Sequence, residues 1–354
     1  MEVSKKVTVL TTVYNGLPYL QSAIDSTLVQ TYSDFEYMII DDASPDESVA
    51  KFIESYDDLR INFIKNDQNL GVSETINKAL SLITTPYVVR VDQDDLNLPQ
   101  RVEDQVNYLE ANPDVSIVCS WQQTIDSQGK KIRNWKKSIK NYGEFLGPVL
   151  LGLCPIWHPS IAFRTQALID VGGFNGSYIR AEDFEVTARL ATKRHRAAIV
   201  QNYHLLKREH EQSQSIEFMQ DQIDMSAIIQ KEAIAEFLSD DESDQLARFL
   251  RLELDNASLV KKKKQVIYNY NLLIKMIQNI NEKQKLDHQE KATLKRVIFS
   301  RLGLGIYLLP FYKFLPTFLF FCIFYLFSPL YSNVIHQLLS RIYHRFKELR
   351  YVFN

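Results

Sequence analysis

Three carboxylates, Asp92, Asp94 and Asp95, fall within four residues of the stretch T-P-Y-V-V-R-V-D-Q-D-D-L-N-L-P-Q-R, residues 85–101. Tyr87, Val88, Val89 and Val91 before them read as a short, mostly buried strand, rich in β-branched residues and introduced by Pro86. An acidic cluster at the carboxyl end of a buried strand sits in the crevice where open α/β sheets bind ligands. Its internal repulsion is relieved by a cation, and hard oxygen donors in that number suit Mg²⁺ or Mn²⁺. An isolated D-x-D-D can equally be a solvated loop. Delivery by a buried strand turns it into an expected metal–diphosphate site. A second acidic pair, Glu182 and Asp183, precedes Phe184, Val186, Leu190 and Ala191 at helical spacing, so it opens a helix. Helix capping alone is one account of that pair.

The elements that must hold these residues follow from periodicity. Val7–Val13 reads as a strand, Tyr14-Asn15-Gly16 as a turn, and Pro18 with Leu20, Ala23, Ile24, Thr27 and Leu28 as a helix. Strands are expected at Phe35–Ile40 and Ile61–Lys65, and helices at about 46–56 and 72–83. The strand before Asp92 is fourth. Strand and helix alternating through short links predict a doubly wound, mostly parallel α/β sheet, because parallel neighbours need crossover helices. Beyond residue 100 a helix at 101–110 and strands at 115–120 and 198–206 are expected. The polar stretch 122–141, with a turn at Asp126-Ser127-Gln128-Gly129, reads as a hairpin or a loop.

Composition narrows the classes. The chain has 354 residues, 45% hydrophobic content and a formal net charge of −2, which gives no sign of a nucleic-acid partner. Cys119, Cys154 and Cys322 are far apart and fit neither a disulfide framework nor a zinc site. The N-terminus passes from charges directly into a strand pattern and does not resemble a secretory signal. The first strand–helix turn, V-Y-N-G-L-P, lacks G-x-G-x-x-G, and no Walker G-x-x-x-x-G-K-[ST] occurs, so glycine-cradled nucleotide sites are excluded.

Several motifs in order carry a family resemblance. Residues 7–48, V-T-V-L-T-T-V-Y-N-G-L-P-Y-L-Q-S-A-I-D-S-T-L-V-Q-T-Y-S-D-F-E-Y-M-I-I-D-D-A-S-P-D-E-S, resemble the opening of the family 2 inverting glycosyltransferases with a GT-A fold. The loop 92–95 matches that family's D-x-D-D, and P-Q-R follows it. H-P-S at 158–160, V-G-G-F at 171–174 and E-D at 182–183 match its second half. Thr12 stands where the family usually has proline, and Ala43 where it usually has glycine. The resemblance covers residues 7 to about 215. It implies base and ribose contacts at Thr12, Tyr14 and Asp42, ribose and diphosphate contacts at Asp92 and Asp94, and metal contacts at Asp94, Asp95 and His210. It also implies a general base at Asp183 and acceptor contacts at Glu182 and His158. For the two histidines, a core or loop role is the competing account.

The implied organisation is a GT-A domain at 1–215, a helical region at 216–301 and an apolar C-terminal segment at 302–354. Residues 216–301 contain neither Gly nor Pro, and Ser239-Asp240-Asp241-Glu242 has the form of a capping box. The Lys261–Lys264 run reads as a solvated face or a contact with anionic lipid. Residues 314–340 carry no Lys, Arg, Asp or Glu, and a basic tail with Arg341, Arg345, Lys347 and Arg350 follows. Membrane attachment is expected there, with a buried hairpin or dimer interface as the alternative. The expected activity is metal-dependent transfer of a sugar, with inversion, from a nucleoside-diphosphate donor such as a UDP-sugar. The acceptor would be a hydroxyl of a glycan or lipid-linked saccharide, in surface polysaccharide synthesis at the cytoplasmic face of the plasma membrane. An inactive sugar-binding module and a nucleotidyltransferase are the rival readings.

Overall fold

A computed structural model describes residues 5–210, 218–251 and 259–308. The chain divides into one unit of residues 1–253 with 269–298 and another of residues 254–268 with 299–354. The first unit contains the sheet and the cleft described below.

The sheet opens with β1 (Val7–Val13), α1 (Leu17–Leu28), β2 (Phe35–Asp41), α2 (Ser48–Glu54), β3 (Ile61–Lys65), α3 (Val72–Leu82) and β4 (Tyr87–Val91). Strands β3, β2, β1 and β4 lie side by side in that order, all parallel. Val7, Val9, Ile39, Val89 and Val91 are fully or almost fully buried, which is why β1, β2 and β4 are rich in apolar and β-branched residues. The order doubles back at β1, so the crevice beyond its carboxyl end, between β2 and β4, is the switch point where doubly wound sheets take ligands.

The second half turns antiparallel. After β5 (Leu96–Asn97) and α4 (Arg101–Ala111) come β6 (Val115–Ile125), β7 (Lys131–Trp135) and α5 (Tyr142–Leu150). A single helical turn at His158–Ser160 leads to β8 (Ala162–Arg164), α6 (Thr165–Asp170), α7 (Glu182–Thr192) and β9 (Arg196–Arg208). β8 runs antiparallel to both β4 and β6, β9 runs parallel to β6, and β5 runs antiparallel to β9. Of the two readings for 122–141, the hairpin is the one found. β7 pairs with β6 across a turn in which Asp126 Oδ1 accepts from the Gln128 and Lys130 amides, each at 2.9 Å.

Two elements were not expected. β5 is two residues long and exists only through its pairing with β9. Helix α5 is held by Asn141, whose side chain caps it, and by the close approach of Gly143 to the chain at Glu290 and Leu294. A Cβ at Gly143 would lie 2.8 Å from the Leu294 nitrogen, so only glycine fits.

The region after β9 is helical as expected: α8 (Met219–Ala235), α9 (Asp240–Leu250), α10 (Leu259–Gln284) and α11 (His288–Leu308). The Ser239–Glu242 capping box is present at the start of α9. Glu290, 1% exposed, pairs with Arg194 at 2.7 Å and Arg196 at 2.8 Å, and Gln284 donates to the Thr192 carbonyl at 2.6 Å. These buried contacts fasten residues 284–290 to the edge of the sheet layer. Among the described residues no helix is long and apolar enough to cross a membrane, and the apolar stretch 314–340 lies outside them.

Candidate active site

All ten residues singled out in the sequence line one cleft of about 470 Å³ at the carboxyl ends of β1, β2 and β4. One wall is built by the first turn and the end of β2. Tyr14 is 49% exposed, presenting an aromatic ring to the cleft beside Thr12. Asp42 is buried, and its carboxylate pins the 69–71 turn. Oδ1 accepts from Asn66 Nδ2 and the Leu70 amide, and Oδ2 from the Gly71 amide, each at 2.8 Å. A carboxylate offers about four acceptor positions, so one remains on Oδ2 for a ligand N–H.

The acidic loop forms the floor. Asp92 pairs with Arg90 at 2.9 Å, and Arg90 also meets Nδ1 of His158. Asp94 Oδ2 lies 3.0 Å from His210 Nε2. The short β5–β9 pairing causes this meeting, because it sets the end of β9 against the loop. Arg208, the last residue of β9, donates its amide to Asp95 Oδ1 at 2.8 Å and its Nε to the Asp94 carbonyl at 3.1 Å. Asp95 is 2% exposed, and its Oδ2 is buried with no hydrogen-bond partner among the described residues. Burial lifts the carboxyl of Asp95 well above its ordinary range, and the charges of Asp94 and Asp92 lift it further. Asp94 is raised by burial and then by Asp92, against the opposing pull of His210.

Opposite the floor stands α7. Glu182 and Asp183 are its first two residues, and the capping position belongs to Ala181, which has no capping side chain. Neither acid is therefore a cap, although both benefit from the helix dipole. Asp183 Oδ1 accepts from the Phe184 amide at 2.7 Å, and the residue lines the cleft. Burial raises the pKa of both acids; Asp183 adds to the effect on Glu182, while Arg90 opposes it on each. His158 is buried against Phe174 with ring centroids 5.8 Å apart, and its pKa is pushed well below the ordinary value by burial and by Arg90. Burial and the neighbouring arginine both favour its neutral form.

Four side chains that the motif reading passed over complete the site. Gln93, the variable position of D-x-D-D, clamps the first turn. Its Oε1 accepts from the Tyr14 amide at 2.9 Å, and its Nε2 donates to the Tyr14 carbonyl at 3.3 Å. Gly16 makes room for this clamp, since a Cβ there would lie 2.7 Å from Gln93 Cδ. Arg90 is the polar interruption of an apolar strand, and that interruption was its only signal. Lys207 and Arg208 bring two cations to the cleft at a strand end.

The donors fit a hard divalent ion as a partial shell. Asp94 and His210 converge, Asp95 keeps an unpartnered buried oxygen, and the carboxylate-rich set matches Mg²⁺ or Mn²⁺. Among the described residues no three His, Cys, Asp or Glu side chains are already arranged around one point. Such a shell suits an ion that takes its remaining ligands from phosphate oxygens and water.

Comparison with known proteins decides the family. Residues 8–172 match the sequence model of glycosyl transferase family 2. The protein of Bacillus subtilis named as glycosyltransferase EpsE is 30% identical over 193 residues, which cover 53% of this chain and 68% of that one. The chain belongs to glycosyl transferase family 2. An uncharacterized glycosyltransferase of Methanocaldococcus jannaschii is 32% identical over 197 residues, 53% of this chain. The family 2 chain spans 65% of that relative, less than two thirds of its length. Among solved structures, Staphylococcus aureus TarS superposes with a TM-score of 0.53 at 18% identity, covering 82% of this chain and 52% of TarS. TarS residues 1–349 in complex with UDP-GlcNAc give a TM-score of 0.53 at 15% identity, covering 87% of this chain and 82% of that one. The family 2 chain thus has the GT-A fold expected from its motifs.

Proposed function

We propose that this chain is a metal-dependent, inverting glycosyltransferase that moves a sugar from a nucleoside diphosphate, UDP in the first instance, to a saccharide hydroxyl. One observation carries the reading. The Tyr14–Asp42 wall, the Asp92–Asp95 floor and the Asp183 carboxylate face a single cleft. Family membership and the fold support it, and TarS, a protein of the same fold, has been crystallised with UDP-GlcNAc. A relative from Escherichia coli, 27% identical over 191 residues, is named an O-antigen biosynthesis glycosyltransferase, which supports a polysaccharide product.

In this reading the ring of Tyr14 stacks on the base, and the open acceptor position of Asp42 takes the imide N–H. Asp92 and Asp94 lie beside ribose and diphosphate. Asp94 and His210 would hold Mn²⁺ or Mg²⁺, with Asp95 behind them, and the ion would supply positive charge to the leaving diphosphate. Lys207 and Arg208 add fixed cations on the same side. The acceptor oxygen forms its bond to the anomeric carbon as the bond from that carbon to the β-phosphate oxygen breaks. The hydroxyl proton passes to Asp183 Oδ2, and the nucleoside diphosphate leaves with the bonding pair. Attack from the face opposite the leaving group inverts the centre. A raised Asp183 pKa makes this carboxylate a stronger base than a solvated aspartate. Glu182 and His158 lie on the acceptor side. The apolar stretch 314–340 and its basic tail are the parts of the sequence that would hold the enzyme at the inner face of a membrane.

The test is to incubate the full chain with Mn²⁺ and a panel of nucleotide sugars and to follow release of the nucleoside diphosphate. Release from one UDP-sugar, abolished by EDTA, is the expected result. Tight UDP binding without turnover of any sugar donor would instead assign a binding module, and pyrophosphate released from a nucleoside triphosphate would assign a nucleotidyltransferase.

A further inference from the structure

The β6–β7 hairpin is not used by the transfer chemistry, yet it gathers an unusual set of side chains. All three tryptophans of the chain, Trp121, Trp135 and Trp157, lie on it or beside it. Trp135 and Trp157 have ring centroids 6.1 Å apart, and Trp121 stands 5.6 Å from Tyr203 on the neighbouring β9. Both hairpin indoles are tethered by their N–H groups: Trp121 Nε1 donates to the Lys137 carbonyl at 2.8 Å, and Trp135 Nε1 to Thr124 Oγ1 at 3.0 Å. With the polar edges satisfied, the rings interact through their faces, and Arg133 already lies 5.3 Å from the Trp135 ring centroid. Every residue of β7 is exposed, including Trp135 and Ile132.

Cations are interleaved with the rings. Six Lys and Arg occur between residues 130 and 140, and no Asp or Glu between 127 and 143. Lys136 Nζ lies 4.6 Å from the Trp121 ring centroid and 5.4 Å from that of Tyr203, and Lys137 Nζ lies 5.7 Å from that of Trp157. Arg133 is neutralised by Glu209. Lys130, Lys131, Lys136 and Lys140 have no ion pair among the described residues. The strip is continuous with the cleft along the chain itself. Trp157 directly precedes His158, which lines the cleft. Lys137 Nζ also reaches the Cys154 carbonyl at 3.4 Å, three residues before Trp157.

We propose that this strip is the acceptor subsite, and that it takes a saccharide chain carrying anionic groups, phosphate or carboxylate. The inference rests on the transferase reading for the word acceptor, but the binding itself does not. Flat rings accept the C–H faces of sugar rings, and the unpaired ammonium groups between them complement a negative charge repeated along a chain. A neutral glycan would use the rings and leave the lysines idle. Tethered rings lying along a hairpin, continuous with the cleft, suit an extended chain leading to the candidate base better than they suit a lipid surface.

Binding is measured by tryptophan fluorescence on the full chain, with four probes: polygalacturonate fragments, phosphomannan fragments, neutral dextran of equal length, and phosphatidylglycerol vesicles. At least one anionic saccharide should saturate the signal about ten-fold tighter than dextran, with an affinity that falls as salt is added. The preferred fragment distinguishes carboxylate from phosphate. Trp135→Ala and, separately, Lys136→Glu should each weaken that binding by about ten-fold, the size of a well-placed interface contact. UDP affinity, followed by calorimetry, should be unchanged in both. Equal binding of dextran, binding of vesicles alone, or wild-type affinity in Lys136→Glu would overturn the proposal. Saccharide binding in a chain that fails to bind UDP would remove the transferase reading and leave the strip standing. UDP turnover without saccharide binding would do the reverse.

Discussion

Replacing Asp183 by asparagine separates a proton acceptor from a structural acid more cleanly than any other single change. Asparagine keeps the side-chain length and an oxygen for the Phe184 amide now bonded at 2.7 Å. Two small effects on stability oppose each other. The first turn of α7 loses a favourable charge–dipole interaction of about 0.3–1 kcal/mol. It also loses the cost of ionising a carboxylate whose pKa burial has raised. The melting temperature should therefore move by no more than about 2–4 °C, the shift expected from ~1 kcal/mol in a domain of this size. Asp183 contacts neither the Tyr14–Asp42 wall nor the Asp94–His210 pair through any hydrogen bond, so donor affinity should be unchanged. Transfer should fall by roughly 10²–10⁴, equivalent to about 3–5 kcal/mol of barrier. Melting, UDP-sugar binding and single-turnover transfer measured side by side, with Glu182→Gln as the milder companion, decide the matter. Transfer within a few-fold of wild type would refute the assignment and leave Asp183 as a first-turn acid.

Asp94→Asn should abolish the metal dependence of UDP binding, read by calorimetry with and without EDTA, while Asp95→Ala tests the fold instead. It strips the Arg208 amide of a buried acceptor and should lower stability by about 1–3 kcal/mol in denaturant titration. Gln93→Ala breaks both arms of the Tyr14 clamp and should weaken UDP binding by roughly 5–30-fold, from ~1–2 kcal/mol of lost positioning, without changing the metal requirement. The folded pKa values of Glu182 and Asp183 lie above those of the unfolded chain, so their stabilising effect is complete below the unfolded carboxylate range and is lost as pH rises through the folded values. The melting temperature of wild type minus that of the Glu182→Gln, Asp183→Asn double variant should therefore fall as pH is raised from 4 to 7, and a flat difference would show that the two acids are not perturbed.

The parallel half of the fold was legible because β1, β2 and β4 are buried almost throughout and its strands end in recognisable turns. β1, β3 and β4 fall where the apolar runs predict, and β2 and α3 differ by one residue at an end. Ala43 was noted as a departure from glycine, and its cost is now visible: its φ of 57° is left-handed, a conformation that disfavours a Cβ. Gly172 and Gly173, with φ of 84° and 72°, follow α6 in the left-handed conformation that suits glycine at a helix end. What stayed hidden depends on distant partners. β5 has no pattern of its own and is defined by Leu205 and Leu206, more than a hundred residues later. α5 depends on contacts with α11. The grouping of ten site residues came from motifs, but the supports Gln93 and Arg90 carry no motif, because their roles are set by what the fold brings opposite them.

Arg101 gives the cleft a property that no lining residue shows. Its guanidinium is wholly inaccessible, its pKa is held down to about 10 by burial, and one of its nitrogens donates to the carbonyls of Arg90, Pro159 and Ile161. A single cation therefore fastens the strand that delivers the acidic loop to the turn that carries His158. Geometry at the site and survival of the fold are consequently set by the same side chain. Variation that retunes substrate choice has little room here, because any change costs foldability first. If the proposed transfer is the activity, its substrate choice is open to change at the rim, on the hairpin and around Tyr14, and closed to change at the arginine.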